Sequence, residues 1–338
     1  MKSILVNWYC CRVVLLLMLI AGAVCSANGT ECIAPAKPGG GFHITCELVQ
    51  QGLQQTHAAV GPLSISYMPG GIGAVAYNAI ITQRNAEPNT LIAFAGGSLL
   101  NIAEGKFGKY TEHDVKWLAA FGIDYGVLMV RADSPFTSLQ QLVAALKKQP
   151  GKLVFGHDGT VGGPDWMKVT LLAHAAGVDY KSIRFVGFEG SGEANIALTG
   201  GYVDVVSTDV SEAVSLIRSG SPVRILTVFS DRRLPGQLNG VPTAKESGYD
   251  VQWSHIRGVY MGPKVPEVDY QRWVTIFNKM LSRPEFIRLR NEHGLLPFNK
   301  TGAQLDIYVH DMMKQYRRLA GQPGLVTVLP EAAQLNNK

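Results

Sequence analysis

An α/β protein built as two hinged lobes is the fold class the sequence predicts, and three observations predict it. Strand-like and helix-like patterns alternate along the chain, which argues for α/β units on mostly parallel sheets. Glycines gather directly after the strand-like stretches in both halves. Two extended apolar stretches, 125–131 and 251–261, stand where one half hands over to the other. They divide the chain into a first lobe of residues 27–124 and 262–338, a second lobe of 132–250, and two hinge crossovers. With 338 residues, 46% of them hydrophobic, the chain is long enough for two cores.

The elements follow in order. Residues 32–35 make a short apolar strand, and Ile44, Leu48, Val49 and Leu53 then share one face of a helix. Residues 63–68 alternate as a strand, 74–84 read as a helix and 90–95 as a buried strand. Residues 117–121 and 125–130 read as two strands separated by Gly122. The second run opens with a capping box, Thr137 and Gln140, around which Leu139, Leu142, Val143 and Leu146 keep helical spacing. Strands at 153–156, 183–188, 203–207 and 224–229 alternate with helices at 165–176, 193–199 and 212–219. Residues 251–261 form one long strand-like stretch. The tail reads as helices at 270–281 and 284–293 and a last one capped by Thr301 and Gln304. No repeat of solenoid period is present.

The first 26 residues read as a signal peptide. Lys2 and Arg12 precede an apolar core, VVLLLMLIAGAV, of 12 residues, and the small residues Ser26 and Ala27 follow. That core falls short of the ~20 apolar residues of a spanning helix. The expected product is a soluble periplasmic protein. Removing Lys2 and Arg12 from the 31 Lys and Arg leaves 29 against 26 Asp and Glu. The excess is small and dispersed, which excludes a nucleic-acid footprint and suits a small anionic ligand. Of five cysteines, Cys32 and Cys46 lie beyond the signal. An even pair in an oxidising compartment permits a disulfide, provided the fold brings the two within reach.

The glycine loops are where chemistry is expected. They are Gly39-Gly40-Gly41, Gly70-Gly71 and Gly96-Gly97 in the first lobe. In the second they are Gly156 to Gly163, then Gly190 and Gly192. Open α/β sheets take ligands at the carboxyl ends of their strands, where helix N-termini add positive field. Ser98, Asn101, Thr160, Ser191, Ser207 and Thr208 sit at the same corners and can donate to carboxylate oxygens or cap helices. Arg257, among apolar neighbours in WSHIRGVYMG, needs a partner. It either grips a ligand carboxylate with its planar fork or pairs with a nearby Asp or Glu. Asp209 and Glu189 can accept from a ligand or cap a helix, and Lys37, His43 and His157 lie on the same side. Metalloprotease, nucleophile-elbow, CxxC and phosphate-loop motifs are absent from the sequence. No catalytic residue, cofactor or metal site is expected.

At these residues the chain resembles the exported substrate-binding proteins of tripartite tricarboxylate transporters, the TctC or Bug type. The likeness runs through APAKPGGGF, YMPGGIGAVAYNAI, FAGGSLLN, VRADSPFTSLQQL, FEGSGEANIAL, GGYVDVVSTDVSEA, RLPGQLNGVPTAKESGYD and RGVYMGPKVP. ECIAPAKPGGGF, GGSLLN and IRG resemble its citrate-binding branch. The resemblance implies a type II-like periplasmic-binding-protein fold whose lobes close on a small carboxylate. It implies ligand contacts at Gly39, Gly40, Phe42, Ser98, Thr160, Gly190 and Ser191, with Asp209 a weaker case. The residue reading adds Asn101 and Arg257. His43 departs from the pattern, since the family usually carries aspartate two places after the triple glycine. The implied partners are a large and a small integral membrane subunit, with the protein itself a monomer. The expected function is capture of citrate or a related tricarboxylate. Alternatives are a dicarboxylate or amino-acid receptor, a co-receptor for a sensor kinase, and a transferase on the same hinged fold.

Overall fold

The computed structural model describes residues 29–58 and 61–320. The expected signal segment lies outside the described residues. Ten strands are described: β1 (Thr30–Ala34), β2 (Leu63–Tyr67), β3 (Thr90–Ala95), β4 (Lys116–Arg131), β5 (Val154–Asp158), β6 (Arg184–Phe188), β7 (Val205–Asp209), β8 (Val223–Val228), β9 (Ser254–Met261) and β10 (Leu296–Thr301). The helices that matter to the site are α1 (Gly41–Thr56), α2 (Ala74–Thr82), α3 (Gly96–Ala103), α4 (Leu139–Lys148), α5 (Pro164–Ala175), α6 (Ser191–Thr199) and α7 (Val210–Arg218). Three more, α8 (Glu267–Leu281), α9 (Pro284–Glu292) and α10 (Gly302–Ala320), close the described chain.

The strands form two sheets that share β4. The first runs β2-β1-β3-β9-β4, with β1, β2 and β3 parallel and β9 antiparallel between β3 and β4; β10 adds to β4. The second runs β8-β4-β7-β5-β6, with β5, β6 and β7 parallel. The chain has the mixed-sheet α/β fold of periplasmic binding proteins, each sheet with its helices making one lobe.

Gly122 does not divide this stretch into separate strands. Residues 116–131 are one strand, buried except at its ends, because both of its faces are covered. At Gly122 the pairing only shifts register, and a Cβ there would stand 2.9 Å from the Leu295 side chain. The handover between sheets falls inside β4. Tyr125 pairs with Ser254 of the first sheet and Gly126 with Asp209 of the second. The second crossing is shorter than the 251–261 expected from sequence, since β9 lies wholly in the first sheet. It is made at Trp253, whose N–H donates to Phe229 O (2.8 Å) and whose carbonyl accepts from Gly126 N (3.0 Å).

Two smaller expectations also move. The cap of α4 is Ser138, which accepts from Gln141 N, while Gln141 Oε1 accepts from Thr137 N; the box sits one residue later than Thr137 and Gln140. Thr301 ends β10 and donates to Asn278 rather than capping α10. β10 itself, LPFNKT, is too polar to read as a strand and is made one by the free edge of β4.

Cores lie on the sheet faces. α1, α8 and α9 cover one face of the first sheet, with Leu48, Val49, Trp273, Phe277 and Phe286 against Phe121. α4 and α5 cover the second sheet, with Leu142, Leu146, Val169 and Leu172 on Phe155 and Leu226. Cys32 of β1 and Cys46 of α1 are bonded, with Cα atoms 5.6 Å apart, so strand and helix are tied on both sides of the first glycine loop.

Candidate functional site

The carboxyl ends of β1, β3, β5, β6 and β7 face one another across the gap between lobes. Five helices begin there: α1, α3, α5, α6 and α7. Their N-caps are Gly40, Ala95, Gly163, Gly190 and Asp209. Glycine and alanine have no side-chain acceptor, so the first-turn N–H groups of α1, α3, α5 and α6 get none from their N-caps; at α7 Asp209 spends its carboxylate elsewhere and Asp124 Oδ1 accepts from Ser211 N (3.2 Å). Between them lies a cavity of about 50 Å³. Typical ligand pockets measure about 300–1,000 Å³, so the cleft is nearly shut.

The lobes touch around it. Lys37, in the first loop, holds Glu193 (2.6 Å) and Glu189 (3.2 Å) of the second lobe. Backbone meets backbone beside that bridge: a Cβ on Gly192 would stand 2.6 Å from Pro38 O. Pro164 sits on Gly97, and Ile72 on Gly159. Glycine is needed at these places for close approach of the lobes rather than for a ligand alone.

Behind the cavity is a buried charge network. Arg257 Nε donates to Asp124 Oδ2 (2.6 Å), and its Nη2 lies 3.3 Å from Asp209 Oδ2 and 3.6 Å from Glu212 Oε1. Asp124 also accepts from Ser211 Oγ (2.6 Å). Lys168, fully buried, donates to Asp209 Oδ1 (2.6 Å) and Thr208 O (2.9 Å) and pairs with Asp165 (2.5 Å). Its stem passes Gly126, where a Cβ would stand 2.5 Å from Lys168 Cδ; glycine at the handover of β4 is what admits it. Thr208 Oγ1 donates to Glu212.

The protonation states follow. Burial works against ionisation of Asp209, but the groups beside it, His255, Lys168 and Arg257, hold its pKa down at about 2. Burial pushes His255 itself below its ordinary value, so at neutral pH that work falls to Lys168 and Arg257. Burial, then the charge of Asp209, raises Glu212 to about 7. Burial and the charges of Asp165, Glu212 and Asp209 lift Asp158 well above the usual carboxylate range. Asp124, Asp209 and His255 bring three donor atoms within 4.8 Å of one another, yet the Arg257 guanidinium already bonds both carboxylates and serves as the cation there.

Of the residues singled out in the sequence, Gly41, Phe42, Gly97, Ser98, Glu189, Gly190, Ser191, Asp209 and Arg257 line this cavity. Gly39 and Gly40 lie beside it, packed on Gly192 and Ser191. Thr160 is on an exposed loop and is not among the lining residues. Asn101 is buried in α3 away from the lining, with neither amide atom hydrogen-bonded. His43 meets Tyr67, whose hydroxyl is 2.7 Å from Nδ1, and His157 Nδ1 lies 2.9 Å from Asp158 O. Sequence reasoning missed Asp124, Asp158, Asp165, Lys168, Glu212 and His255. Only His255 left a readable signal, standing two residues before Arg257 on the same face of a strand.

A larger hollow, about 550 Å³, lies at the far end of the second lobe among Arg131, Phe136, Lys148, Lys152 and Asp204. It abuts the C-terminal end of α4, where the helix presents carbonyls rather than N–H groups.

Comparison with known proteins agrees with this architecture. Structures similar to this chain include MatC of Rhodopseudomonas palustris with bound malate (TM-score 0.73, 21% identity, 87% of this chain and 99% of that one). The periplasmic binding protein BugD is similar as well (0.74, 19%, 86% and 95%). So is Rpa4515 of R. palustris with adipate (0.74, 17%, 87% and 96%). At these identities they show the fold. Among curated relatives, a protein encoded in the gbd 5' region of Cupriavidus necator is 25% identical over 206 residues, 60% of each chain. The chain thus spans 60% of that relative's length. BugT of Bordetella pertussis is 23% identical over 270 residues, 79% of this chain and 75% of BugT. The description "Tripartite tricarboxylate transporter family receptor" (TctC) matches residues 109–325, and it describes a receptor, not an enzyme. The chain belongs to the TctC family of tripartite tricarboxylate transporter receptors.

Proposed function

We propose that this protein is a periplasmic receptor that captures a small carboxylate in the cleft between its lobes and delivers it to the large and small membrane subunits of a tripartite transporter. One observation carries the reading: four helix N-termini, α1 and α3 from the first lobe and α5 and α6 from the second, converge on a single crevice with no hydrogen bond from an N-cap side chain. Anions are stabilised at such termini, and here the two halves of the site belong to different lobes. A ligand that touches both favours the closed arrangement, so binding and closure are one equilibrium. With only about 50 Å³ between them, the lobes must open to admit an organic acid, about the handover at Tyr125–Gly126 and Trp253. The protein acts as a monomer, and no bond in the ligand is made or broken.

The sequence motifs put citrate forward as ligand. Malate and adipate, named for two similar structures, belong in the same test. Titration calorimetry of the purified protein with citrate, isocitrate, tricarballylate, malate, succinate and adipate is expected to give at least one micromolar or tighter ligand. Recovered ligand is expected to be chemically unchanged. Silence from all six, or turnover of any, contradicts the reading. Among the described residues no helix is long and apolar enough to cross a membrane. N-terminal sequencing of the exported protein tests the cleavage expected near Ser26.

A further inference from the structure

Resting on the receptor reading above, we infer that Ile72 is the positioning residue of closure: its side chain crosses from the first lobe, seats on the backbone of Gly159 in the second, and holds the lobes together for every acid alike. The first ground is its backbone. The loop between β2 and α2 runs Gly70-Gly71-Ile72-Gly73, with φ of 129°, 58°, 53° and 99°. Glycine takes such angles freely, but a β-branched residue at φ 53°, ψ 45° is an outlier. The other non-glycine residue of positive φ among those described, His57, ends α1, where a left-handed residue is ordinary. Three of the four loop positions are glycine already, so a strained isoleucine at the remaining one calls for a reason outside the loop.

Core packing is not that reason. Ile72 is half-buried and belongs to none of the three apolar cores. What it meets is the cleft. It lines the inter-lobe cavity, and a Cβ on Gly159 would stand 2.7 Å from Ile72 Cδ1 and 3.5 Å from Cγ1. Gly159 is a fixed seat: its φ is 75° and its N–H donates to Phe188 O (2.8 Å). The loop that carries Ile72 is held as well, since Gly73 N and Val75 N both donate to Gly70 O (3.3 Å each). An apolar tip on one held loop therefore meets bare backbone on another, across the gap between lobes.

This contact differs in kind from the tie at Lys37. The pairs of Lys37 with Glu189 and Glu193 are exposed, so salt screens them. An apolar seat is not screened, and it reads nothing of the ligand's charge. Its effect falls on the equilibrium between open and closed forms before a ligand arrives. It raises the share of molecules already in the binding arrangement, and with it the apparent affinity for any acid by one common factor.

The test combines small-angle X-ray scattering at high salt with calorimetry on wild type, Ile72→Gly and Ile72→Leu. Glycine removes the seat and the strain together, so the loop keeps its path and the melting temperature is expected not to fall. Leucine keeps a δ-carbon that reaches Gly159. Ligand-free wild type is expected to be as compact as its ligand-bound form. Ile72→Gly is expected to have a larger radius of gyration without ligand, to contract on binding, and to lose about tenfold in affinity for each acid by the same factor. Ile72→Leu is expected to restore both. Ligand-free wild type as wide as Ile72→Gly, or Ile72→Gly as compact as wild type with unchanged affinities, overturns the inference and leaves the receptor reading standing. A changed preference among acids makes Ile72 a ligand contact and overturns it too. Should wild type bind none of the six acids, the receptor reading falls, and the scattering comparison still decides whether Ile72 holds the lobes.

Discussion

The two walls of the cleft are built from different chemistry. The first lobe offers backbone and small neutral groups: Ala36, Gly41, Ala95, Gly97, Ser98 and the ring of Phe42. The second lobe adds acidic side chains to its own helix N-termini, Asp158, Asp165, Glu189, Asp209 and Glu212, with Lys168 beneath them. β9 of the first sheet reaches across with Arg257 and His255 to meet that charged wall. Oriented amides bind an anion with little dependence on its identity, because helix ends read charge. Fixed carboxylates and a shared guanidinium discriminate, because each must be matched or left uncompensated. The difference teaches that affinity for an acid comes from the helix N-termini of both walls and the choice among acids from the carboxyl groups that only the second wall adds.

The largest way to break this comparison is to remove the cation both walls depend on. Arg257→Met leaves Asp124, Asp209 and Glu212 facing one another, and is expected to cost about 3–5 kcal/mol of stability, read from urea unfolding. A loss under about 1 kcal/mol contradicts the network.

The first wall breaks differently. The Cys32–Cys46 bond braces its loop across 14 residues, and a link of that span contributes about 3 kcal/mol. Cys32→Ser with Cys46→Ser, or unfolding in reductant, is expected to show that loss while leaving ligand preference unchanged. A changed preference puts selectivity on the first wall.

A third prediction concerns pH. The Glu212 pKa of about 7 lies above its ordinary 4.5, so the folded state holds that proton longer. Its contribution is full below pH 4.5 and is lost as pH rises to 7. Asp209 runs the other way: held at about 2 against an ordinary 3.8, it contributes above 3.8 and loses that as pH falls toward 2. Glu212→Gln is expected to flatten the decline between pH 4.5 and 7 in thermal melts and to keep the acid limb. An unchanged decline assigns it to another group.

The smallest effect sharpens the contact between walls. Lys37 bridges to Glu189 and Glu193 at the exposed rim, so Lys37→Gln is expected to weaken ligand binding slightly at low salt and not at all at high salt. A loss that salt does not erase makes the bridge more than a rim contact.

Much of this fold was legible because its periodicities are local. Glycine after a strand marked the corners, and helical spacing marked α1 and α4. Gly122 misled because a strand covered on both faces tolerates a glycine where a neighbour needs room. β10 was hidden because an edge partner, not its own residues, makes it a strand. The site was less legible. Arg257 announced itself as a charge among apolar residues, but its partners Asp124 and Asp209 lie 133 and 48 positions away, and no local pattern joins them. Lys168 and Asp165 stand three apart on one helix with nothing local to show that the lysine stem runs inward past Gly126.

The most direct test of the central claim is a crystal structure with the tightest calorimetric ligand bound. The ligand carboxylate is expected between the lobes, accepting from first-turn N–H groups of α1, α3 or α6, with the lobes closed around it. Ligand density instead in the hollow among Arg131, Lys148 and Lys152, with the inter-lobe cleft unchanged, contradicts the account.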